Sequence, residues 1–538
     1  MTVGCSMLEY RRLRAPRESG ARLIEPPLGE IPALIAANEE RRRQAPTELC
    51  GRPLAELAAQ ARGELLAAAR QHTARYRPVP PPAATERVLL AGHQPQLFHP
   101  GVWYKNFVLS QLAGQERAVA VNLQVDSDTI KRTGIRVPGG SVVAPALEEI
   151  HFDAPGPEIP FEQRPILERG LFDSFAERVA ARLTPLVPQP LVREFWRLAV
   201  GRANEQASLG AALAEARHQL EGQWGLSTLE LPLSKVCGLA SFRWFTLHNL
   251  VELPRLREQY NAAVHEYRRV NHVRSANHPV PDLVQEDDWH EAPYWIWQNA
   301  QPRRRRLFVR RRRDALELRT RDAVVGELPL GAKCGDQRGV EGLAALADQG
   351  IKLRTRALMT TLFARLLLGD LFLHGIGGAK YDEVTDLLFR RFYGVEPPGY
   401  LVVSATLELP IPHQHAREED ARRVRGQLRE LSFHPERFLT EDQLGRGEIA
   451  ELAQAKRLWI GQEPTRETAR TRCRAIRAVN EGLQPWVAPL RSQLEQELTE
   501  ISAQLKSRSI LGGREFSFCL YPAQMLQDFL LAIPPATS

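Results

Sequence analysis

The sequence predicts an α/β protein: a parallel-sheet core, an inserted region of mixed α and β structure, and a C-terminal helical coiled coil. Three observations predict it. The apolar run Arg87-Val-Leu-Leu-Ala-Gly92 is followed by an amphipathic segment over 102–112 and a second apolar run, Ala118-Val-Ala-Val-Asn-Leu-Gln-Val125. Strand, helix, strand in that order predicts a right-handed crossover in a parallel sheet. A comparable pattern returns with a helix over 354–368, a Gly-rich turn, a helix over 382–393 and the strand Tyr400-Leu-Val-Val-Ser-Ala-Thr-Leu. Residues 413–507 are almost continuously helical and charged, the pattern of helices that pair as an antiparallel coil.

In chain order, residues 1–85 read as a helical segment packing on the core, with apolar residues at three- and four-residue spacing over 32–43 and 53–76 and a Pro-rich linker from Pro78 to Pro82. Residues 86–150 are the first half of the core. Residues 151–330 are an inserted connecting region: helices over 172–183 and 191–221, a Trp-containing stretch over 289–297, then a meander of Arg-rich strands. Residues 331–412 are the second half of the core, 413–510 the coiled coil, kinked at Pro485 and Pro489, and 511–538 a tail returning to the core.

Composition excludes several classes. Apolar residues at 43% and charged residues at 25% are those of a folded globular chain. The longest apolar stretch, 362–373, is broken by Arg365 and Asp370, well short of the roughly 20 residues a membrane helix needs. The N-terminus lacks the pattern of an export signal, and the six cysteines show no CxxC pair. A cytoplasmic protein with reduced thiols is expected. The net charge of +7 is small for 538 residues. It is concentrated in Arg303–Arg306 and Arg310–Arg313, for which a solvated sheet face or a subunit contact is the expected role. Anion contact is the alternative, and nucleic acid is not expected.

The most informative segment is the turn Gly92-His-Gln-Pro-Gln-Leu-Phe-His-Pro-Gly101. A helix N-terminus just beyond a parallel strand offers free N–H groups where phosphates bind. There Gly92 and Gly101 allow close backbone approach, Gln94 adds an amide, and His93, His99 and Lys105 are candidate donors to phosphate or carboxylate. The run is similar to the nucleotidylyltransferase signature ending His-x-Gly-His, with Val102 in place of the last histidine. The next strand ends in Val125-Asp126-Ser-Asp128, two carboxylates suited to Mg²⁺ or substrate, or to capping a turn. A third turn, His374-Gly375-Ile-Gly377-Gly378-Ala-Lys380-Tyr381, repeats the Gly-rich anion cradle. His290 and the pair His413 and His415 have no companion at metal-ligand spacing.

Taken in order, these pieces resemble the bacillithiol biosynthesis cysteine-adding enzyme family. The family's Thr-Gly-Gln-Gln-x-Gly-Leu-Phe-Thr-Gly-Pro turn is matched by Ala91-Gly-His-Gln-Pro-Gln-Leu-Phe-His-Pro-Gly101 with Tyr104-Lys105 following. Its Glu-Asp-His-Asp run is matched by Val125-Asp-Ser-Asp128, and its Gly-Gly-Pro-Gly-Glu-x-x-Tyr turn by His374–Tyr381. Order and spacing fit over roughly residues 30 to 530. The resemblance implies a Rossmann-like parallel sheet core related to nucleotidyltransferases and a coiled coil that makes a homodimer. It also implies ligase chemistry joining an amino acid to the amine of an amino-sugar conjugate.

The expectation is therefore a ligase or transferase acting on a small-molecule substrate with ATP or ADP and Mg²⁺. His93, His99, Asp126 and Asp128 are the candidate catalytic residues. Two other readings stand beside it: a nucleotide-sugar glycosyltransferase using Asp126-Ser-Asp128 as metal ligands, and a non-enzymatic scaffold using the coil and the Arg-rich strands.

Overall fold

The computed structural model describes residues 8, 10, 11, 13–82, 85, 87–331, 337–412, 416–463 and 465–533. They fall into two compact units. The larger comprises the chain up to Val137, Glu148–Leu409 and the residues from Arg514 on; the smaller comprises Pro138–Leu147 and Pro410–Gly513.

The larger unit is a mixed α/β structure with two main sheets, beside the short antiparallel pair Glu48–Leu49 and Arg52–Pro53. β1 (Arg22–Glu25), β2 (Val88–His93), β3 (Val119–Gln124) and β4 (Leu229–Pro232) belong to the first. β5 (Trp289–Gln298), β6 (Gln301–Arg311), β7 (Ala315–Arg319), β8 (Val324–Pro329) and β9 (Ile351–Thr355) form the second together with the short strand Gln285–Glu286 beside β5, and β10 (Leu371–His374) and β11 (Leu401–Ala405) return to the first. The helices that matter below are α1 (Ile31–Gln44), α2 (Leu54–Thr73), α3 (Pro100–Gln115), α4 (Leu209–Gln223) and α5 (Ile376–Leu388).

Across the first sheet the order is β1-β11-β10-β2-β3-β4. Neighbours are parallel except β1 on β11. Numbered by chain order, the parallel strands read 3-2-1-4-5, so the chain departs from β2 in opposite directions. In such sheets a crevice opens outside the carboxyl ends of the strands flanking the reversal, here β2 and β10. Val88 to Ala91 are fully buried, as the continuous apolar run of a central parallel strand requires. At the opposite edge the buried Asp370 accepts the Val88 N–H at 2.7 Å and pairs with Arg62 of α2 at 2.8 Å and with Arg42 of α1.

The second sheet is antiparallel, in the order β8-β7-β6-β5-β9, and contains the expected Arg-rich meander. Two expectations are corrected. The helix expected over 354–368 starts at Ala357, because Ile351–Thr355 pairs with β5. The helix expected over 191–221 is two helices, Val192–Ala203 and α4, the second capped by Ser208, which accepts the Ala211 N–H at 3.2 Å. Among the described cysteines, Cys237, Cys473 and Cys519 are free.

In the smaller unit the helix Ala469–Leu511 runs on through Pro485 and Pro489. Ala421 and Val424 of Glu418–Phe433 share one apolar cluster with Leu494 and Ile501, and Leu431 shares another with Ile449 and Leu483. Among the described residues no helix is long and apolar enough to cross a membrane.

Candidate functional site

At the carboxyl end of β2 the backbone is held by two side chains read as phosphate donors. Lys105, buried one turn into α3, gives its ammonium to the Gly92 carbonyl at 2.6 Å. Burial, reinforced by Arg217, brings that ammonium down to about 8. The His93 ring is buried and lies 3.0 Å through Nδ1 from the Gln94 carbonyl.

The tautomer of His93 follows from its surroundings. The amide nitrogens of Asn106 and Asn122 lie 3.3 and 3.4 Å from Nε2. Each amide also donates to a buried carboxylate, Asn106 to Glu221 at 2.7 Å and Asn122 to Glu230 at 3.1 Å, which fixes the amides with nitrogen toward the ring. Nε2 is then the acceptor, and Nδ1 carries the proton donated to Gln94. Burial and the charges of Arg217 and Lys105 push His93 well below the usual imidazole range, so it stays neutral. Arg217 bridges Glu221 and Glu230. Glu230 is pushed up to about 7 by burial. His218, Glu221 and Glu230 come close enough to suggest a metal cluster, but Arg217 already occupies both carboxylates.

His99 and Gly101 have architectural positions. His99 is the N-cap of α3, its Nδ1 accepting the Gly101 N–H at 3.1 Å. A Cβ on Gly101 would lie 2.0 Å from the Ala405 carbonyl oxygen, so glycine there lets α3 press onto β11.

The two carboxylates after β3 part company. β3 ends at Gln124, so the alternation that would aim Asp126 and Asp128 to one side is lost. Asp126 is buried and takes both the N–H of Ser234, at 2.9 Å, and its hydroxyl. Burial and the nearby Glu162 push it up to about 7. Asp128 remains one-third exposed. It accepts from Gln94 Nε2 at 3.2 Å and lies 3.0 Å from Arg304 of β6. Arg304 also donates to the Ser127 carbonyl and the Thr129 hydroxyl, at 3.2 and 3.1 Å, and lies over Trp295, whose ring also carries Arg356.

The third turn follows β10. Gly375 is the N-cap of α5, no side chain caps that helix, and a Cβ on Gly375 would meet open space. His374 is buried, with Nε2 2.7 Å from Asp382, which also takes Arg365 at 2.7 Å. Although burial opposes it, His374 and Arg365 hold Asp382 below the usual carboxylate range. A Cβ on Gly378 would lie 2.7 Å from His374 Nδ1, so that glycine makes room for the imidazole. Lys380 is exposed and Gly377 faces Tyr381, whose hydroxyl would be 3.7 Å from a Cβ there. Burial, followed by the charges of Asp382 and Asp128, pushes the Tyr381 phenol up. Tyr381 stands in the second turn of α5, so the Gly-rich turn expected over His374–Tyr381 is helical from Ile376 on.

Sequence reasoning named Arg304 only within the run Arg303–Arg306, without joining it to the site, and missed the network of Asn106, Asn122, Gln124, Arg217, Glu221 and Glu230. The available signal for the network was polar residues inside buried strands, Asn122 in β3 and Glu230 in β4. His413 and His415 lie outside the described residues. Two larger cavities, of about 560 and about 730 Å³, touch the amino ends of β3 and β4 and the residue before β2, away from these turns. No family model matches the chain, and no curated protein matches it.

Proposed function

We propose that this chain is a Rossmann-like enzyme that binds a nucleotide or phosphorylated small molecule over the crevice between β2 and β10. Its proposed reaction is a ligase-like or transferase step joining an amino acid to an amino-sugar conjugate or related small amine, as the family resemblance implies. The observation that carries the reading is the strand order, which brings the carboxyl ends of β2, β3 and β10, and with them the segments carrying Gln94, Asp128 and Gly375, to one sheet edge.

The roles differ from the ones expected of the motifs. The uncapped N-terminus of α5, open at Gly375, receives the anionic group, with Lys380 and Arg304 as flanking cations. Asp128 and Gln94 accept hydrogen bonds from the amine or hydroxyl of the second substrate. Tyr381, kept protonated by its surroundings, donates one. His93 and Lys105 hold the carbonyls of Gln94 and Gly92, so they position the turn rather than touch substrate. The pair Asp126 and Asp128 does not fit a shared metal ion, since both Asp126 oxygens are taken by Ser234 and Asp128 is paired with Arg304. Magnesium in this reading arrives as the counter-ion of the nucleotide phosphates, and the glycosyltransferase reading loses its metal ligand. The test is calorimetric titration of the full chain with ADP and MgCl₂, followed by the Asp128→Asn variant; saturable binding weakened by that substitution is expected.

A further inference from the structure

Beside the β2 turn lies a cavity of about 330 Å³. It starts at Pro95 and Gln96, one and two residues past Gln94, and is walled by Phe152, Phe161 and Leu213, with Lys131 and Arg132 at its rim. Both cations are exposed and neither pairs with a carboxylate among the described residues. Among the described residues no acidic side chain lines the cavity. An apolar chamber whose only charges among the described residues are two cations at its rim favours a ligand with an apolar body and an anionic end.

The walls are fixed rather than accidental. The Phe161 N–H donates to the Asp128 carbonyl at 2.9 Å, and the Ile130 N–H to the Ile159 carbonyl at 3.4 Å. Thr129 and Pro160 form an antiparallel bridge between the same two segments. Behind Phe161, the position of a Cβ on Gly210 would lie 2.9 Å from the Phe161 Cβ and 3.2 Å from Pro95, so α4 presses on both. The stretch 128–132, which carries Asp128, Lys131 and Arg132, is therefore tied to the stretch that carries the wall residue Phe161.

We propose that this cavity is a second ligand site, taking a small organic anion with one aromatic ring or a short aliphatic body and a single phosphate or carboxylate. The volume stands at the small end of ligand pockets, roughly 300 to 1,000 Å³, which suits one ring and one charged group. The assignment concerns binding and is independent of the reaction proposed above.

The experiment uses the full chain and phenyl phosphate as probe, with phenol and inorganic phosphate as separate arms. Phenyl phosphate is expected to bind saturably, at least tenfold more tightly than either fragment. The double variant Lys131→Ala/Arg132→Ala, altered only at exposed positions, is expected to bind at least tenfold more weakly. Leu213→Trp, which fills the chamber, is expected to abolish binding while retaining a cooperative thermal transition. Saturating ADP with MgCl₂ is expected to leave the affinity unchanged. Absence of phenyl phosphate binding, binding indifferent to the double variant, or displacement by ADP would each overturn the proposal. Failure of ADP itself to bind bears only on the function proposed above.

Discussion

Arg304 brings a guanidinium nitrogen to 3.0 Å from a carboxylate oxygen of Asp128 and thereby ties β6 of the second sheet to the carboxyl end of β3 in the first. The pair is partly exposed, 18% and 33%, so its contribution to stability is about 1 kcal/mol or less. Arg304→Ala should lower stability in urea by no more than about that amount while weakening ADP binding at least tenfold. Lost stability with unchanged affinity would make Arg304 a strut and nothing more.

Gly101 and Gly375 open two helices of the same sheet but for different reasons. A methyl at Gly101 collides with the Ala405 carbonyl, and one at Gly375 meets nothing. Gly101→Ala should cost at least about 2 kcal/mol, as overpacked backbone contacts do, measured by chemical denaturation. Gly375→Ala should change stability by under about 0.5 kcal/mol and weaken ADP binding. Equal stability losses at the two positions would contradict the assignment.

Asp370 is a fully buried carboxylate shared by Arg42, Arg62 and the Val88 N–H. Removing its charge leaves two guanidinium groups without their partner, a change that costs about 3 to 5 kcal/mol in buried pairs. Asp370→Asn should lower the unfolding free energy by that order. A loss under about 1 kcal/mol, the range of exposed pairs, would show that solvent screens the cluster.

His99 predicts an acid-side instability. Burial, with Arg514 adding to it, brings the imidazole down to about 4, against about 6.5 in an unfolded chain. Between those values the unfolded chain binds a proton that the folded chain excludes, so stability falls as pH drops from 6.5 to 4 and is unaffected above that window. His99→Asn keeps a capping oxygen for the Gly101 N–H and does not titrate. Its stability should fall by about one proton's slope less across the window. Identical pH profiles would contradict the burial of His99.

Much of this was readable in the sequence because it depends on local periodicity. The apolar runs of β2 and β3 and the Arg-rich meander came from alternation and apolar content alone, and the mixed α/β class followed from them. The roles inside the turns did not. His99 reads identically as phosphate donor or helix cap; only the 3.1 Å contact to the Gly101 N–H distinguishes them. Asp126 and Asp128 look paired in one dimension, but they separate because β3 ends two residues earlier and Ser234, more than a hundred positions on, claims the first. Arg304 was hidden among neighbours of the same type: Arg305 and Arg306 pair with Asp322 and Glu291, and only the fold selects the one that faces Asp128.

The central claim is an anion site at the β2–β10 crevice, and the most direct measurement is calorimetric titration of the full chain with ADP and MgCl₂ alongside Asp128→Asn and Gly375→Ala. Saturable binding by the unaltered chain, weakened at least tenfold by each substitution with folding intact, is the predicted result. No binding, or binding indifferent to both positions, would contradict it.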